Sequence, residues 1–234
     1  DFLLNIINTE TTPNLINTET TPDTETTPDL VRIILEPDFL GYLMQNSGTS
    51  NTSNINAKVS AIYSSNVLKE NTTLKFPDTV TGLVQAINYL ISTKCPQVQF
   101  GWQINAWANP VSIPGGIGIC KSSDFIPDFN KAKTFIKKVA TDTATFYNSA
   151  GIMSYNAKFF SVDKYGLDFG LVGEDRNPTT NPWSFNTTHW NNFLYYVKTI
   201  SEVLNSKAVL WQMPVGHLNS SKYISEYTGK KFID

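Results

Sequence analysis

Two acidic residues come directly after short apolar runs, where carboxyl groups can take part in acid–base chemistry. Glu36 follows the apolar run 30–35, and Asp163 follows the run 159–162. A carboxyl group at the end of a buried strand is poorly solvated, and desolvation favours the protonated form that a general acid needs. Hydrolysis of a glycosidic bond uses two carboxyl groups that flank the bond. We therefore expect Glu36 to act as the general acid and Asp163 as the base or the nucleophile.

Each acid also has a purely structural interpretation. Glu36 could pair with a buried arginine, and Asp163 could form a salt bridge with Lys164 or with an arginine elsewhere in the chain. Asp38 comes after Pro37, which ends the hydrogen bonding of a strand. Asp38 could cap the following helix as readily as it could contact a substrate. The sequence pattern leaves these alternatives open.

Polar and aromatic side chains also follow the apolar runs, and they suit an uncharged ligand such as a sugar. Sugar rings stack on flat aromatic faces, and a few placed polar groups hold their hydroxyl groups. Of the five tryptophans, Trp107 and Trp211 lie near predicted strand ends, while Trp102 and Trp190 are expected in the core. The predicted substrate-binding residues are Asp38, Gln103, Asn105, Trp107, Tyr165, Trp211, Gln212 and His217.

The sequence contains no signature of metal, nucleotide or acyl-transfer chemistry. His189 and His217 are the two histidines of the chain, too few for a histidine metal cluster. Cys95 and Cys120 match no metal-binding spacing, and they could form a disulfide or remain thiols. No Gly-x-Ser-x-Gly elbow and no phosphate-binding loop occurs. We therefore expect no metal ion and no organic cofactor.

The low charge of the chain limits its partners. Charged residues make up 16% of the 234 residues and the net charge is −2, with no basic stripe of the kind that binds nucleic acid. No apolar run approaches the ~20 residues that a membrane-spanning helix needs. The expected partner is a polysaccharide or oligosaccharide, with no nucleic acid and no membrane.

Residues 1–29 form a low-complexity segment. The unit Asn-Thr-Glu-Thr-Thr-Pro occurs at 8–13 and 17–22, and a close variant follows at 23–28. Such a segment has too few apolar residues to offset the entropy of ordering, so we expect a disordered linker rich in threonine and proline. It could tether an additional carbohydrate-binding module, or it could be a repeat expansion without function. Residues 30–234 then form the catalytic domain.

Four short apolar runs predict strands that are buried in a parallel sheet. They cover residues 30–35, 98–108, 159–162 and 208–213. Amphipathic patterns between these runs predict three long helices, and residues 55–70 could hold another. The long helices run from a cap at Asp78 to about Thr93, from Asp128 to a stop at Gly151, and from Thr188 or His189 through Leu204.

Strands that alternate with helices predict a parallel sheet with helical crossovers. A doubly wound open sheet and a barrel both satisfy this pattern, but polar or aromatic residues at each strand end favour the α/β fold of a TIM-like (β/α)8 barrel, whose active site lies at those ends. About four βα units are visible, whereas a closed barrel needs eight. We therefore expect a partial barrel, roughly half of a closed one, with one or more β-strands missing upstream. A separate chain could supply them, or the chain could be a truncated product.

One segment resembles a motif of a known enzyme family. Leu35-Glu36-Pro37-Asp38-Phe39-Leu40 is similar to the Ile-Glu-Pro-Asp-Ser-Leu type of motif in cellulases and cellobiohydrolases of glycoside hydrolase family 6. The segments 160–166 and 210–217 look like strand ends of secreted bacterial polysaccharide hydrolases. The resemblance implies that Glu36 and Asp38 lie at a sugar site, with Asp163 as a second acid.

The sequence thus predicts a secreted glycoside hydrolase that cleaves a β-linked polysaccharide resembling cellulose or chitin. Four Asn-x-Ser/Thr sequons, at Asn51, Asn71, Asn186 and Asn219, would carry glycans only in a eukaryotic secretory route. The principal alternative is a non-catalytic or truncated barrel that binds carbohydrate, which the missing half and the repeat-rich start favour. A barrel enzyme for a small metabolite is disfavoured because phosphate and metal signatures are missing.

Overall fold

Strands and helices alternate along the part of the chain that the structure describes. This computed structural model describes residues 31–35, 38–68, 74–111, 129–163 and 187–211. The strands are β1 (Arg32–Leu35), β2 (Gln99–Ile104), β3 (Phe159–Asp163) and β4 (Lys207–Trp211). The helices are α1 (Asp38–Asn46), α2 (Ala61–Ser64), α3 (Val80–Lys94), α4 (Phe129–Ser149) and α5 (Thr187–Leu204). Two 3₁₀ turns cover Thr52–Asn54 and Ala106–Ala108. The predicted linker, 1–29, lies outside these ranges.

The four described strands form one sheet in chain order, β1-β2-β3-β4, and every neighbouring pair is parallel. The predicted parallel sheet with helical crossovers is therefore confirmed. Strand β2 ends at Ile104, four residues before the end of the apolar run 98–108, because the chain turns there into the 3₁₀ turn Ala106–Ala108. This early turn leaves Asn105 and Trp107 beyond the strand.

The long helices pack on one face of the sheet. The register aligns Leu35, Trp102 and Phe160 on neighbouring strands, and these side chains share one core cluster with residues of α3, α4 and α5. Trp102 is buried, which confirms its prediction as a core residue. Successive side chains of a strand point to opposite faces, so the intervening residues lie on the other face of the sheet. They include Gly101, Gln103, Phe159 and Ser161. We call this second face the inner face.

Gly101 lets the aromatic ring of Phe159 cross the inner face close to the sheet. A Cβ atom at Gly101 would lie 2.3 Å from the Phe159 carbonyl oxygen and 2.4 Å from a carbon of the Phe159 ring. No side chain larger than hydrogen fits there without moving a strand. Phe159 therefore fills the lower part of the inner face, below the polar residues at the strand ends.

Asp78 does not cap helix α3, and the sequence prediction on this point was wrong. The N-cap is Thr79, whose Oγ1 accepts a hydrogen bond from the Gly82 backbone at 3.1 Å. The Asp78 carboxylate instead accepts the backbone N–H groups of Val59 and Ser60, each at 2.8 Å. Asp78 thus ties the segment before α2 to the start of α3.

The hydrogen bonds of the Asp78 carboxylate make the stability of the fold depend on pH, because protonation of this carboxylate weakens them. The backbone N–H of Ser60 is the main cause that holds the pKa of Asp78 below its ordinary value of 3.8, with the N–H of Val59 acting the same way. A lowered folded-state pKa contributes stability above about pH 4, which is lost as pH falls through the folded value. Asp78→Asn should therefore flatten the acid limb of the thermal midpoint plotted against pH. An unchanged acid limb would contradict this role for Asp78.

The region around the end of α3 is apolar. Cys95 is a free, buried thiol that packs with Ile91, Val98 and Phe100. Cys120 lies outside the described residues. After α4 ends at Ser149, Gly151 has a φ of +80°, a conformation that glycine adopts at little cost, as the sequence pattern predicts for a helix stop.

Candidate functional site

Several predicted site residues lie at the same edge of the sheet. Because all four strands are parallel, their C-terminal ends meet at one edge, which we call the carboxyl edge. Asp38 begins α1 just beyond β1, and Asn105 follows β2 directly. Asp163 and Trp211 end β3 and β4, and they are register partners. The topology therefore brings these positions to one edge of the sheet.

The remaining predicted residues lie outside the described residues. They are Glu36, Tyr165, Gln212 and His217. For Asp163 and Trp211 the structure gives the backbone position at the strand end.

Three side chains at the carboxyl edge form a hydrogen-bonded chain. The Gln103 Nε2 group donates to Asn105 Oδ1 at 2.8 Å, and Asn105 Nδ2 lies 3.4 Å from Asp38 Oδ1. Both amides are buried, whereas Asp38 is exposed. A carboxylate only accepts hydrogen bonds, so the Asn105 amino group faces Asp38 and its carbonyl faces Gln103. The charge at Asp38 thereby sets the orientation of both amides.

Asp38 lies in the first turn of α1, as well as contacting Asn105. A negative charge there is favourable because the N-terminus of a helix carries a partial positive charge. Asp38 is thus the first residue of the helix, where its charge is favourable, and its role in a substrate site stays a prediction. At 3.4 Å the bond to Asn105 is long for a hydrogen bond, but it still determines which end of the Asn105 amide faces the carboxylate.

Asn105 is also tied to the helical layer. Its backbone N–H donates to the Tyr147 hydroxyl at 3.2 Å, and Tyr147 is a buried residue of α4. This bond fixes the chain where it leaves β2, and so fixes the amide that joins Gln103 to Asp38. The polar chain therefore has a rigid centre and an exposed end.

Two aromatic rings flank this polar chain. The Trp107 and Tyr42 ring centroids are 5.0 Å apart and the planes meet at 52°. Gln45 Nε2 donates to the Trp107 carbonyl at 2.8 Å, which holds the 3₁₀ turn against α1. Trp107 is half-buried and Tyr42 is 58% exposed, so part of this aromatic surface faces solvent.

Gly41 makes the contact between α1 and the residues after β2 possible. A Cβ atom at Gly41 would lie 2.7 Å from Trp107 Cη2 and 2.9 Å from Asn105 Nδ2. Any larger residue must push the indole or the amide away from the helix. Gly41 thus sets the distance between the two rings and the polar chain.

Gly41→Ala is therefore expected to destabilise the protein by about 1–3 kcal/mol through overpacking. Helix propensity alone would predict the opposite, a stabilising change, because alanine is the better helix former by about 1 kcal/mol. Urea denaturation measures the change. In a Trp107→Phe background, where the crowded indole atoms are gone, the cost should shrink.

Gly48→Ala is the matched control for this experiment. Gly48 has a φ of +68°, and no neighbouring atom lies within 4 Å of the place that a Cβ atom would take, so its cost is backbone strain alone. That cost should be the same with Trp107 or phenylalanine present. Equal behaviour of the two glycine variants would contradict the role given to Gly41.

Sequence reasoning missed several residues that shape this edge. Gly41 and Tyr42 follow the acidic motif, and a glycine within a helical pattern signals a close approach of another segment. Tyr147 was hidden within an amphipathic helix pattern. Ser161 lies two residues before Asp163, and a period of two places both on one face of a strand. That period was the available signal for Ser161.

The described residues hold no group of three His, Cys, Asp or Glu side chains arranged to bind a metal ion. Within the same ranges, no helix has both the length and the apolar character required to cross a membrane.

Comparisons with known proteins give no match: no protein-family model, no curated protein and no solved structure matches this chain. The class of protein therefore rests on its own architecture. In the described residues it is a mixed α/β protein with a four-stranded parallel sheet. Its carboxyl edge carries buried amides, an exposed carboxylate and two aromatic rings.

Proposed function

We propose that this chain is a glycoside hydrolase that cleaves a β-linked polysaccharide at the carboxyl edge of its sheet. The observation that carries the proposal is the polar chain Asp38–Asn105–Gln103 beside the Tyr42 and Trp107 rings. Amides and a carboxylate match the hydroxyl groups of a sugar, and aromatic rings match its apolar faces. An uncharged polysaccharide also agrees with the low charge of the chain.

The arrangement of the sheet supports a barrel of the (β/α) type as the scaffold. A doubly wound sheet reverses its strand order and carries helices on both faces. Here the described strands keep chain order, and α3, α4 and α5 share a core cluster on one face. A barrel has this arrangement, with helices outside and strand side chains inside, and its active site lies at the C-terminal ends of the strands.

In the proposed reaction Glu36 protonates the leaving oxygen of the glycosidic bond. Asp163 either activates a water molecule or attacks the sugar carbon. Asp38 and Tyr165 orient these groups, and Trp107 and Trp211 hold the glycan. The proposed chemistry is supplied by side chains, without an organic cofactor.

Hydrolysis assays with the full chain test the proposal. Release of reducing sugar should be measured on several β-linked glucans and on chitin, together with retention of the chain on the same insoluble polymers. Release from at least one polymer supports the hydrolase. Retention without release favours a non-catalytic carbohydrate-binding protein, because the amides and aromatic rings can hold a sugar without reacting. Neither retention nor release would overturn both assignments.

The same proposal places the enzyme outside the cell. In a eukaryotic secretory route the sequon residue Asn51 would be accessible, because it is exposed in a turn where its side chain accepts hydrogen bonds from the backbone and hydroxyl of Ser53. Its amide nitrogen is thus left at the surface. Detection of the chain in the culture medium and in the cell lysate of its native source tests this placement, and a chain found in the lysate alone would overturn it.

A further inference from the structure

Two buried polar atoms on the inner face have no hydrogen-bond partner among the described residues. They are Gln103 Oε1 and Ser161 Oγ. Gln103 is 1% exposed and Ser161 is 0% exposed. Nearly all buried polar groups in folded proteins are hydrogen-bonded, because leaving one unpaired is costly. A pair of such atoms therefore indicates a binding role that the fold itself does not fulfil.

The two residues are direct neighbours across the sheet. Gln103 of β2 is the register partner of Ser161 of β3, so both lie on the inner face, away from the helix-packed core. Adjacent strands are about 4.8 Å apart. Their free atoms therefore lie close enough to contact one small group together. The pair is two residues, or about 7 Å, below the end of β3 at Asp163.

The orientation of the Gln103 amide is fixed rather than arbitrary. Its Nε2 group donates to Asn105, whose own amino group faces the Asp38 carboxylate. Reversing the Gln103 amide would place two carbonyl oxygens against each other. The atom left for a ligand is consequently an acceptor, Gln103 Oε1. Ser161 supplies a hydroxyl, which can donate.

We infer that Gln103 and Ser161 bind one hydroxyl group of the glycan, which reaches the inner face of β2 and β3 below the carboxyl edge. This inference rests on the proposed function and adds Ser161 to the substrate-binding residues. A sugar hydroxyl is both donor and acceptor, so it can donate to Gln103 Oε1 and accept from Ser161 Oγ at the same time. An anion would meet the Gln103 carbonyl oxygen, and a charged group without a buried counter-charge is costly at this depth.

Ser161→Ala tests the inference when affinity and stability are measured together. The full chain carries Glu36→Gln to suppress turnover, and calorimetry gives the dissociation constants for cellohexaose and chitohexaose. Removing one hydrogen bond between uncharged groups should weaken binding about five- to tenfold. The urea midpoint should stay the same or rise, because the deleted hydroxyl has no partner within the fold.

Thr143→Val is the matched control. Thr143 is another fully buried hydroxyl residue, but its Oγ1 donates to the Val139 carbonyl within α4 at 2.8 Å. This variant should lower the urea midpoint and leave glycan affinity unchanged. Ser161→Ala should therefore lower affinity without lowering stability, and Thr143→Val should lower stability without lowering affinity.

The outcomes separate the inference from the proposed function. Binding of a glycan with equal affinity by the parent and Ser161→Ala overturns the inference alone. A lower urea midpoint for Ser161→Ala with unchanged affinity also overturns it, because the hydroxyl then stabilises the fold. If Thr143→Val loses affinity as much as Ser161→Ala does, the inference is overturned, because the loss then comes from a general loosening of the fold. Absence of binding by the parent to both oligosaccharides overturns the inferred ligand together with the proposed sugar site.

Discussion

Replacing Glu36 with glutamine is expected to lower the rate of glycan hydrolysis by about 100-fold or more, the usual contribution of a general acid. Glu36 lies in the chain between Leu35, the last residue of β1, and Asp38, the first residue of α1. These two described neighbours lie at the carboxyl edge, which is why we propose Glu36 as the acid of the site. Glutamine keeps the size of the side chain but cannot give up a proton. The initial rate of reducing-sugar release measures the effect.

Asp163→Asn is the second half of this prediction and should cause a loss of similar size. Strands β1 and β3 are separated by β2, so they are two strand spacings, or about 10 Å, apart. Glycosidases place their two carboxyl groups about 5–9.5 Å apart, a range that two side chains converging from such strands can span. The anomeric form of the first product tells whether the reaction retains or inverts configuration.

Asp142→Asn is the matched control for both acids. Asp142 lies in α4, its side chain is 43% exposed, and it pairs with Lys138 one helical turn away. Surface pairs of this kind contribute little to stability, so this variant should keep full activity. If Glu36→Gln and Asp163→Asn also keep full activity, the proposed roles of the two acids are wrong.

The sheet could be predicted from the sequence because its physical cause is local in the chain. Each strand is a short apolar run, and each crossover helix shows a period of apolar residues that faces the core. Gly151 likewise ends α4 with the positive φ that its residue type favours. Where burial on one face and local conformation agree, the sequence pattern is sufficient.

Contacts between distant segments could not be predicted in the same way. Asp78 has the residue type and position of a helix cap, yet it binds the backbone of Val59 and Ser60, which the chain brings back beside it. The contact of Gly41 with Trp107 likewise joins two segments that follow different strands. Such pairings depend on how strands and helices pack, and no local pattern encodes them. The same limit applied to the orientation of the Gln103 amide.

Replacement of Asn88 should destabilise the fold strongly, because this residue joins three parts of the core. It is fully buried in α3, and its Oδ1 accepts the indole N–H of Trp102 at 2.7 Å. Its Nδ2 donates to the carbonyl oxygens of Gly151 and Ser154, both at 3.1 Å. One side chain thus connects α3 to β2 and to the turn that leads into β3.

Asn88→Leu is expected to lower the free energy of unfolding by about 2–4 kcal/mol, since one buried group left unpaired costs about 1–3 kcal/mol and each further lost hydrogen bond about 1 kcal/mol. Leucine has nearly the same size but leaves the Trp102 N–H without its partner. It also removes the two amide hydrogen bonds to the carbonyl groups of Gly151 and Ser154, which keep their backbone donors. This loss is a large share of the roughly 5–15 kcal/mol that usually stabilises a domain. Urea denaturation followed by far-ultraviolet circular dichroism gives the difference.

A double-mutant cycle with Trp102→Phe isolates the indole bond from the rest of the Asn88 network. Phenylalanine has no N–H to leave unpaired, so Asn88→Leu should cost about 1–2 kcal/mol less in that background than in the native chain. The part of the cost that remains then belongs to the turn at Gly151 and Ser154. Strictly additive effects would show that the 2.7 Å contact contributes no coupling, and a native-like stability of Asn88→Leu would refute the network as a whole.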